Sequence, residues 1–214
     1  MGSRAAVLVG CFTVAALALA NVAHAGGGRY VFAGGTAAEQ AQVHAALDAS
    51  TFDWDIVPTQ VTIHIVRGLA SSYSTRGQIW LDANVLDAGV FSWGVVQMEY
   101  GQQVQFALLD QAEQARLTTA LGASQWCYED PSLPRGDNGC ERFSATLAWA
   151  YWPAAQNSMQ PAGPNDWSAS MNPADFRALL ARLIGAPDPI GTPSLRNLAD
   201  RRPPARAPVL PHGH

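Results

Sequence analysis

The chemistry within reach of this chain centres on one carboxylate in an apolar setting. The stretch from Val90 to Leu109 has no Pro, one mid-helix Gly, Gly101, besides Gly94 near its start, and large apolar residues at nearly every angle, so it predicts a buried helix. With Met98 set at zero on a helical wheel, Phe91 falls at about 20°, Gln102 at about 40°, Val95 at about 60°, Phe106 at about 80° and Glu99 at about 100°. Glu99 and Gln102 therefore share an arc with Met98, Phe91, Val95 and Phe106. A carboxylate there is costly unless it is paired, hydrogen-bonded or reached by water. It is either a structural acid meeting an Arg at the edge of a groove, or a proton acceptor set in a cleft. In both cases burial favours its neutral form unless Arg142 or another cation reaches it.

A second acid, Glu141, follows Cys140 directly and opens another helical run to Trp152, with Phe143, Leu147, Trp149 and Tyr151. Two converging carboxylates are the machinery of glycoside hydrolysis, but the spacing in sequence does not set their separation in space. His44 falls on the polar side of an early helix and His64 on a strand face; both read as ordinary surface or half-buried histidines. Other chemistries lack their residues: the chain has no G-x-S-x-G elbow, no phosphate-cradling G-x-x-x-x-G-K, no C-x-x-C and no dinucleotide fingerprint. Cys127 and Cys140 are nucleophiles only if unpaired.

The elements that must position these groups follow from caps and periods. Thr36-Ala37-Ala38-Glu39 is a capping box, which predicts a helix from about Thr36 to about Asp48. Val61 to Val66 is β-branched and alternating, with Thr62 and His64 on one face and Ile63 and Ile65 on the other. After a polar loop with Gly77, Gln78 to Asp82 reads as another short strand. Helices are then predicted for Val90 to Leu109, Gln111 to Leu121, Glu141 to Trp152 and from Pro173 to near Gly185, Pro being acceptable at a first helical position. Helix, then strands, then mostly helices argues an α+β fold.

The two ends set the compartment. Arg4, the uncharged run Ala5 to Ala20 and Ala23-His24-Ala25 read as a signal peptide over residues 1–25, cut after Ala25 and too short and Ala-rich for a stable membrane span. Leu8-Val9-Gly10-Cys11 has the look of a lipoprotein box, but too few apolar residues precede it. The formal charge is −4 and becomes more negative once Arg4 is removed, which argues against nucleic-acid binding. Residues 186–214, with His212 and His214, are rich in Pro and Arg and have little to bury, so a disordered tail is expected. That leaves a single domain over residues 26–185. Since Cys11 leaves with the leader, Cys127 and Cys140 form an even pair in an exported protein, and a disulfide is expected.

The run Gln97-Met98-Glu99-Tyr100-Gly101-Gln102-Gln103-Val104 resembles the active helix of zincin metallopeptidases. There the motif HExxH places two His one turn apart on zinc, with the Glu between them as general base. Here it reads Met98-Glu99-Tyr100-Gly101-Gln102: the Glu is kept and both His are replaced. In zincins of the gluzincin type a short strand before this helix binds the substrate backbone and a later helix supplies a Glu as third ligand. Gln78 to Asp82, with Trp80, sits at the strand's place, and Cys140-Glu141-Arg142-Phe143-Ser144-Ala145 looks like the later helix, with Glu141 at the ligand position. The neighbourhood is also similar to a group of exported actinobacterial proteins with intact HEYAHQV and CERF stretches, over about Tyr30 to Gly185.

The resemblance implies a zincin-like fold: a small mixed or antiparallel sheet, then a buried active-site-type helix and further helices. It implies Glu99 as the remnant general base, and Met98, Gln102, Glu141 and Trp80 as the remnant of a substrate cleft. Thioether and amide are poor zinc donors and Glu141 cannot hold the ion by itself, so no metal or other cofactor is expected. The expected function is that of a secreted, extracellular pseudoenzyme that binds an unknown protein or peptide or serves as a scaffold. The alternative is an active metallopeptidase that recruits zinc through altered ligands. A third reading is a structural domain without a cleft, in which Glu99 and Glu141 lie far apart.

Overall fold

Thr36 begins the first helix as the sequence predicts. Its hydroxyl accepts from Glu39 N while the Glu39 carboxylate accepts from Thr36 N, the reciprocal bonds of a capping box. The computed structural model describes residues 27–185. The leader, the tail, Cys11, His212 and His214 lie outside the described residues. Among the described residues, no helix is long and apolar enough to cross a membrane.

The strands are β1 (Tyr30–Gly34), β2 (Val61–Val66), β3 (Tyr73–Thr75) and β4 (Gln78–Asp82). They form one sheet in the order β1-β2-β4-β3, with β1, β2 and β4 parallel and β3 antiparallel to β4 at the edge. The sheet is therefore mixed. Parallel pairing of β1 with β2 requires a long crossover, which helix α1 (Ala37–Ala49) supplies. Two strands escape sequence reading. β1 (Tyr-Val-Phe-Ala-Gly) does not alternate cleanly, and β3 has three residues and falls in what reads as a polar loop.

Val61, Ile63, Ile65, Ile79 and Leu81 turn inward from the sheet and join Val43 and Leu47 of α1 in one core. On the opposite face a cross-strand row of rings runs from His64 to Trp80 to Tyr73, stacked at 4.8 Å in both steps. Each fully buried aliphatic or Phe side chain contributes about 1.5–3 kcal/mol relative to exposure.

Helices α2 (Ala83–Leu86), α3 (Trp93–Leu108), α4 (Gln111–Ala120), α5 (Gly139–Tyr151) and α6 (Pro173–Ile184) follow. The predicted helices are present, with one correction at the start of the central one. Gly89–Ser92 forms a separate 3-10 turn, and Phe91 within it is 63 % exposed. Because that turn breaks the 100° progression, Phe91 does not belong to the arc of Glu99. Helix α3 packs lengthwise on α5, with Gly101 facing Ser144. α6 begins with the Asn172 side chain accepting from Asp175 N and ends at Gly185 in the left-handed region, where Gly carries no steric penalty.

Candidate functional site

Glu99 occupies the middle of α3 and is 2 % exposed. At that position backbone N–H groups are already used in the helix, so a carboxylate must find side-chain donors. One is Ser74 on edge strand β3, whose Oγ lies 2.8 Å from Glu99 Oε2 and 3.0 Å from the Glu99 carbonyl oxygen. The hairpin that carries Ser74 is fixed to α3 by Gln103. Its Oε1 accepts from Gly77 N at 2.8 Å, and its Nε2 donates to the carbonyls of Thr75 and Gln78 at 2.9 and 3.1 Å.

Glu141 lies in the first turn of α5, where the helix dipole favours negative charge. It is held by two residues of the Cys-bounded loop. Tyr128 Oη donates to Glu141 Oε1 at 2.6 Å, and Arg135 Nη2 lies 2.8 Å from Oε2, an ion pair whose angle falls outside hydrogen-bond geometry. The same Nη2 stands 3.9 Å from Glu99 Oε1. One guanidinium thus lies between the two carboxylates. Its far side packs over the Trp167 ring at 5.0 Å, a cation–π contact.

The loop is shaped by a disulfide and one buried amide. Cys127 and Cys140 are bonded, with their Cα atoms 5.4 Å apart, as the sequence predicts. Asn138 is fully buried; its Oδ1 accepts from Tyr128 N at 2.7 Å and Gln125 Nε2 at 2.8 Å, and its Nδ2 donates to the carbonyls of Pro134 and Arg135, both at 3.2 Å. Tyr128 takes φ = 57°, a region that costs a non-Gly residue on the order of 1–3 kcal/mol and is held only by its surroundings. The constraint aims the phenol at Glu141.

These groups border a cleft of about 360 Å³ lined by Ser71, Ser72, Tyr73, Ser74, Glu99, Gln102, Phe106, Cys127, Tyr128, Arg135 and Glu141. Burial pushes the Glu99 carboxyl up to about 7; Ser74 and Arg135 pull it down in part, and Glu141 adds to the rise. Burial also raises the Tyr128 phenol, and its bond to Glu141 adds to that, so it stays a donor. For Arg135, burial opposes the charge, but Glu141, Glu99 and Tyr128 outweigh it and hold the guanidinium above its ordinary value.

Of the residues singled out by sequence, Glu99, Gln102 and Glu141 meet in the cleft. Met98 and Trp80 do not line it. Met98 packs between Ala145 and Ala148 with Met159 and Trp167 against it, and Trp80 sits in the ring row on the far face of the sheet. The strand beside Glu99 is β3, where β4 is the expected one, because the hairpin turns β3 onto the edge nearest α3. Gln102 offers little as a ligand: its Oε1 accepts from Gln105 Nε2, which also reaches the Cys140 carbonyl and Ser144 Oγ at 3.3 Å. The cation at Glu99 is Arg135, since Arg142 is bound to the carbonyls of Gly136 and Leu121 at 2.6 and 2.9 Å. His44 receives the Tyr30 hydroxyl at Nδ1, and His64 Nε2 lies 2.6 Å from Gln78 Oε1, both away from the cleft.

Sequence reasoning misses Ser74, Tyr128 and Arg135. For the last two a signal existed: a bridge from 127 to 140 folds the intervening loop over the start of α5, and Arg135 is the loop's cation. Zinc does not fit this donor set. Glu141 is engaged by a phenol and a guanidinium, the Met98 thioether is turned into packing, and a positive charge already stands between the carboxylates. Among the described residues, no group of three or more His, Cys, Asp or Glu is arranged to hold a metal ion. Compared with protein-family models, curated proteins and solved structures, the chain finds no match.

Proposed function

We propose that this chain is an exported, non-catalytic relative of the zinc metallopeptidases, with a zincin-like fold, whose former catalytic cleft binds a protein or peptide. The observation that carries the reading is Arg135, whose Nη2 lies 2.8 Å from Glu141 and 3.9 Å from Glu99. In this reading a guanidinium built into the polypeptide supplies the positive charge that a metal supplies in an active relative. A guanidinium neutralises carboxylates but offers no open coordination position to activate water, so Glu99 has no metal-bound water to deprotonate. Residues 1–25, with their leader pattern, and the Cys127–Cys140 bridge support export. The open cleft and its edge strand β3 support binding of an extended ligand.

Elemental analysis of the mature, untagged protein after incubation with zinc tests the proposal, together with a peptidase assay on the same sample. Zinc far below stoichiometric and cleavage at background are expected. About one zinc per chain with measurable cleavage would return the chain to the active metallopeptidases.

A further inference from the structure

Each carboxylate of the cleft keeps one oxygen without a hydrogen bond, but Arg135 stands close to that oxygen only at Glu141. Glu141 has one oxygen on Tyr128 and the other against Arg135. Glu99 has Oε2 on Ser74, but among the described residues its Oε1 makes no hydrogen bond, with Arg135 Nη2 at 3.9 Å as its ion-pair contact. Glu99 is 2 % exposed overall, but its Oε1 is not among the fully buried polar atoms that lack a hydrogen bond, so it opens onto the cleft of about 360 Å³ that the residue lines. One cation serves two acids, so the ionised form of Glu99 is left short of positive charge. A carboxylate oxygen that lacks a donor and opens onto a cavity with room marks where a ligand's donor goes.

We propose that the cleft takes the primary ammonium group of a peptide ligand, seated on Glu99 Oε1. The inference rests on reading the cleft as a binding site and specifies what it binds. A ligand carboxylate would place a third acid beside two. A ligand guanidinium donates best as a planar fork to both oxygens of one carboxylate, and Ser74 stands against Oε2 and narrows that approach. An ammonium is compact and donates singly. Its remaining protons can meet hydroxyls on the cleft wall, where Ser71 and Tyr128 stand, while Phe106 offers an apolar surface to the adjoining carbon chain.

A peptide can bring an ammonium from its N-terminus or from a Lys side chain, and four small probes separate the two. Calorimetry at pH 7 compares alanyl-alaninamide with its N-acetylated form, and N-acetyl-lysine methylamide with N-acetyl-norleucine methylamide. At least one amine binds at least about tenfold more tightly than its uncharged counterpart, the size of one charge-assisted hydrogen bond, and the pair that shows the difference names the source. Glu99→Gln removes the preference. Arg135→Gln, which deletes the competing cation, strengthens it by roughly threefold or more. The wild-type comparison stands even if a variant folds poorly. If neither amine exceeds its counterpart, or if Arg135→Gln weakens amine binding in a folded protein, the proposal is overturned. The zinc and peptidase measurements decide the parent reading independently of either result.

Discussion

Two glutamate–arginine pairs in this molecule have opposite electrostatics. Glu39 lies in the first turn of α1, where Thr36 N donates to Oε2 at 2.7 Å and Arg67 Nη2 approaches Oε1 at 2.6 Å. The Thr36 backbone bond, partly opposed by burial and reinforced by the Thr36 hydroxyl and Arg67, holds this carboxyl below its ordinary value. Glu99 is also nearly inaccessible and also faces an Arg, yet its carboxyl is raised to about 7. The difference is position along a helix. The first turn has free N–H donors and the favourable end of the dipole, whereas the middle has neither. An acid placed mid-helix is charged only if other elements bring it donors, which makes Glu99 dependent on β3 and the Cys-bounded loop.

The largest effect should come from exchanging the cation beside Glu99. Met98→His with Gln102→His leaves the Arg135 guanidinium between the carboxylates, so zinc binding should stay weak. Adding Arg135→Ala should produce a zinc site of two His and Glu141, provided the imidazole placed at position 98 turns from the packing on Ala145 and Ala148 toward the cleft, raising affinity by several orders of magnitude. Calorimetry on folded variants, with Glu141→Ala as control, checks this. Binding by the double variant equal to that of the triple, or none by either, would defeat the account of Arg135.

Replacing Cys127 and Cys140 with Ser should cost about 3 kcal/mol by loop-closure entropy across the 13-residue separation. The denaturant midpoint should fall, and the Glu39 pair should be untouched because its capping box is local. If the midpoint does not move, the loop is held by Asn138 and packing instead.

The pH dependence of unfolding should carry the sign of Glu99. With its carboxyl raised from 4.5 to about 7 in the native state, the folded protein holds a proton that the unfolded chain has lost between those values. Stability should therefore fall as pH rises from about 4.5 through about 7 and then level, a change on the order of 3 kcal/mol from this group. In Glu99→Gln the slope should flatten and stability at pH 8 should increase, less whatever attraction to Arg135 is lost. A slope of opposite sign in this window that disappears in Glu99→Gln would mean the acid is fully paired.

The smallest effect belongs to the other pair. For Glu39, held low, the contribution is present above the ordinary carboxylate value and is lost as pH falls through the lower native one. Glu39→Gln should thus give a slight loss at neutral pH that vanishes in acid. A thermal melt at the two pH values reads it, and a loss as large as that from the disulfide would contradict the comparison.

Elements marked by local patterns were legible in the chain. The capping box at Thr36, the alternation in β2 and the Pro start of α6 depend on neighbours within a few residues, and so does the wheel that put Glu99 with Gln102. β1 and β3 were not legible, being short and defined only by their pairing partners. Trp80 and Met98 were assigned to the cleft from motif position, and their side chains point elsewhere because sheet and helix orientation decide which face meets which.

By itself the sequence determined the α+β element types, the pairing of Cys127 with Cys140 and a costly mid-helix acid at Glu99. These follow from periodicity, counting and the price of burying charge. Only the tertiary structure decided that β3 borders Glu99, that Glu141 shares its cleft, and that the bridged loop brings Arg135 to both acids and Tyr128 to Glu141. Apart from Arg135 with Glu141, 6 positions away, those contacts join residues 13 to 36 positions apart in sequence, and short-range preferences carry no information about such meetings; they are set by how helices and sheet pack around the shared core.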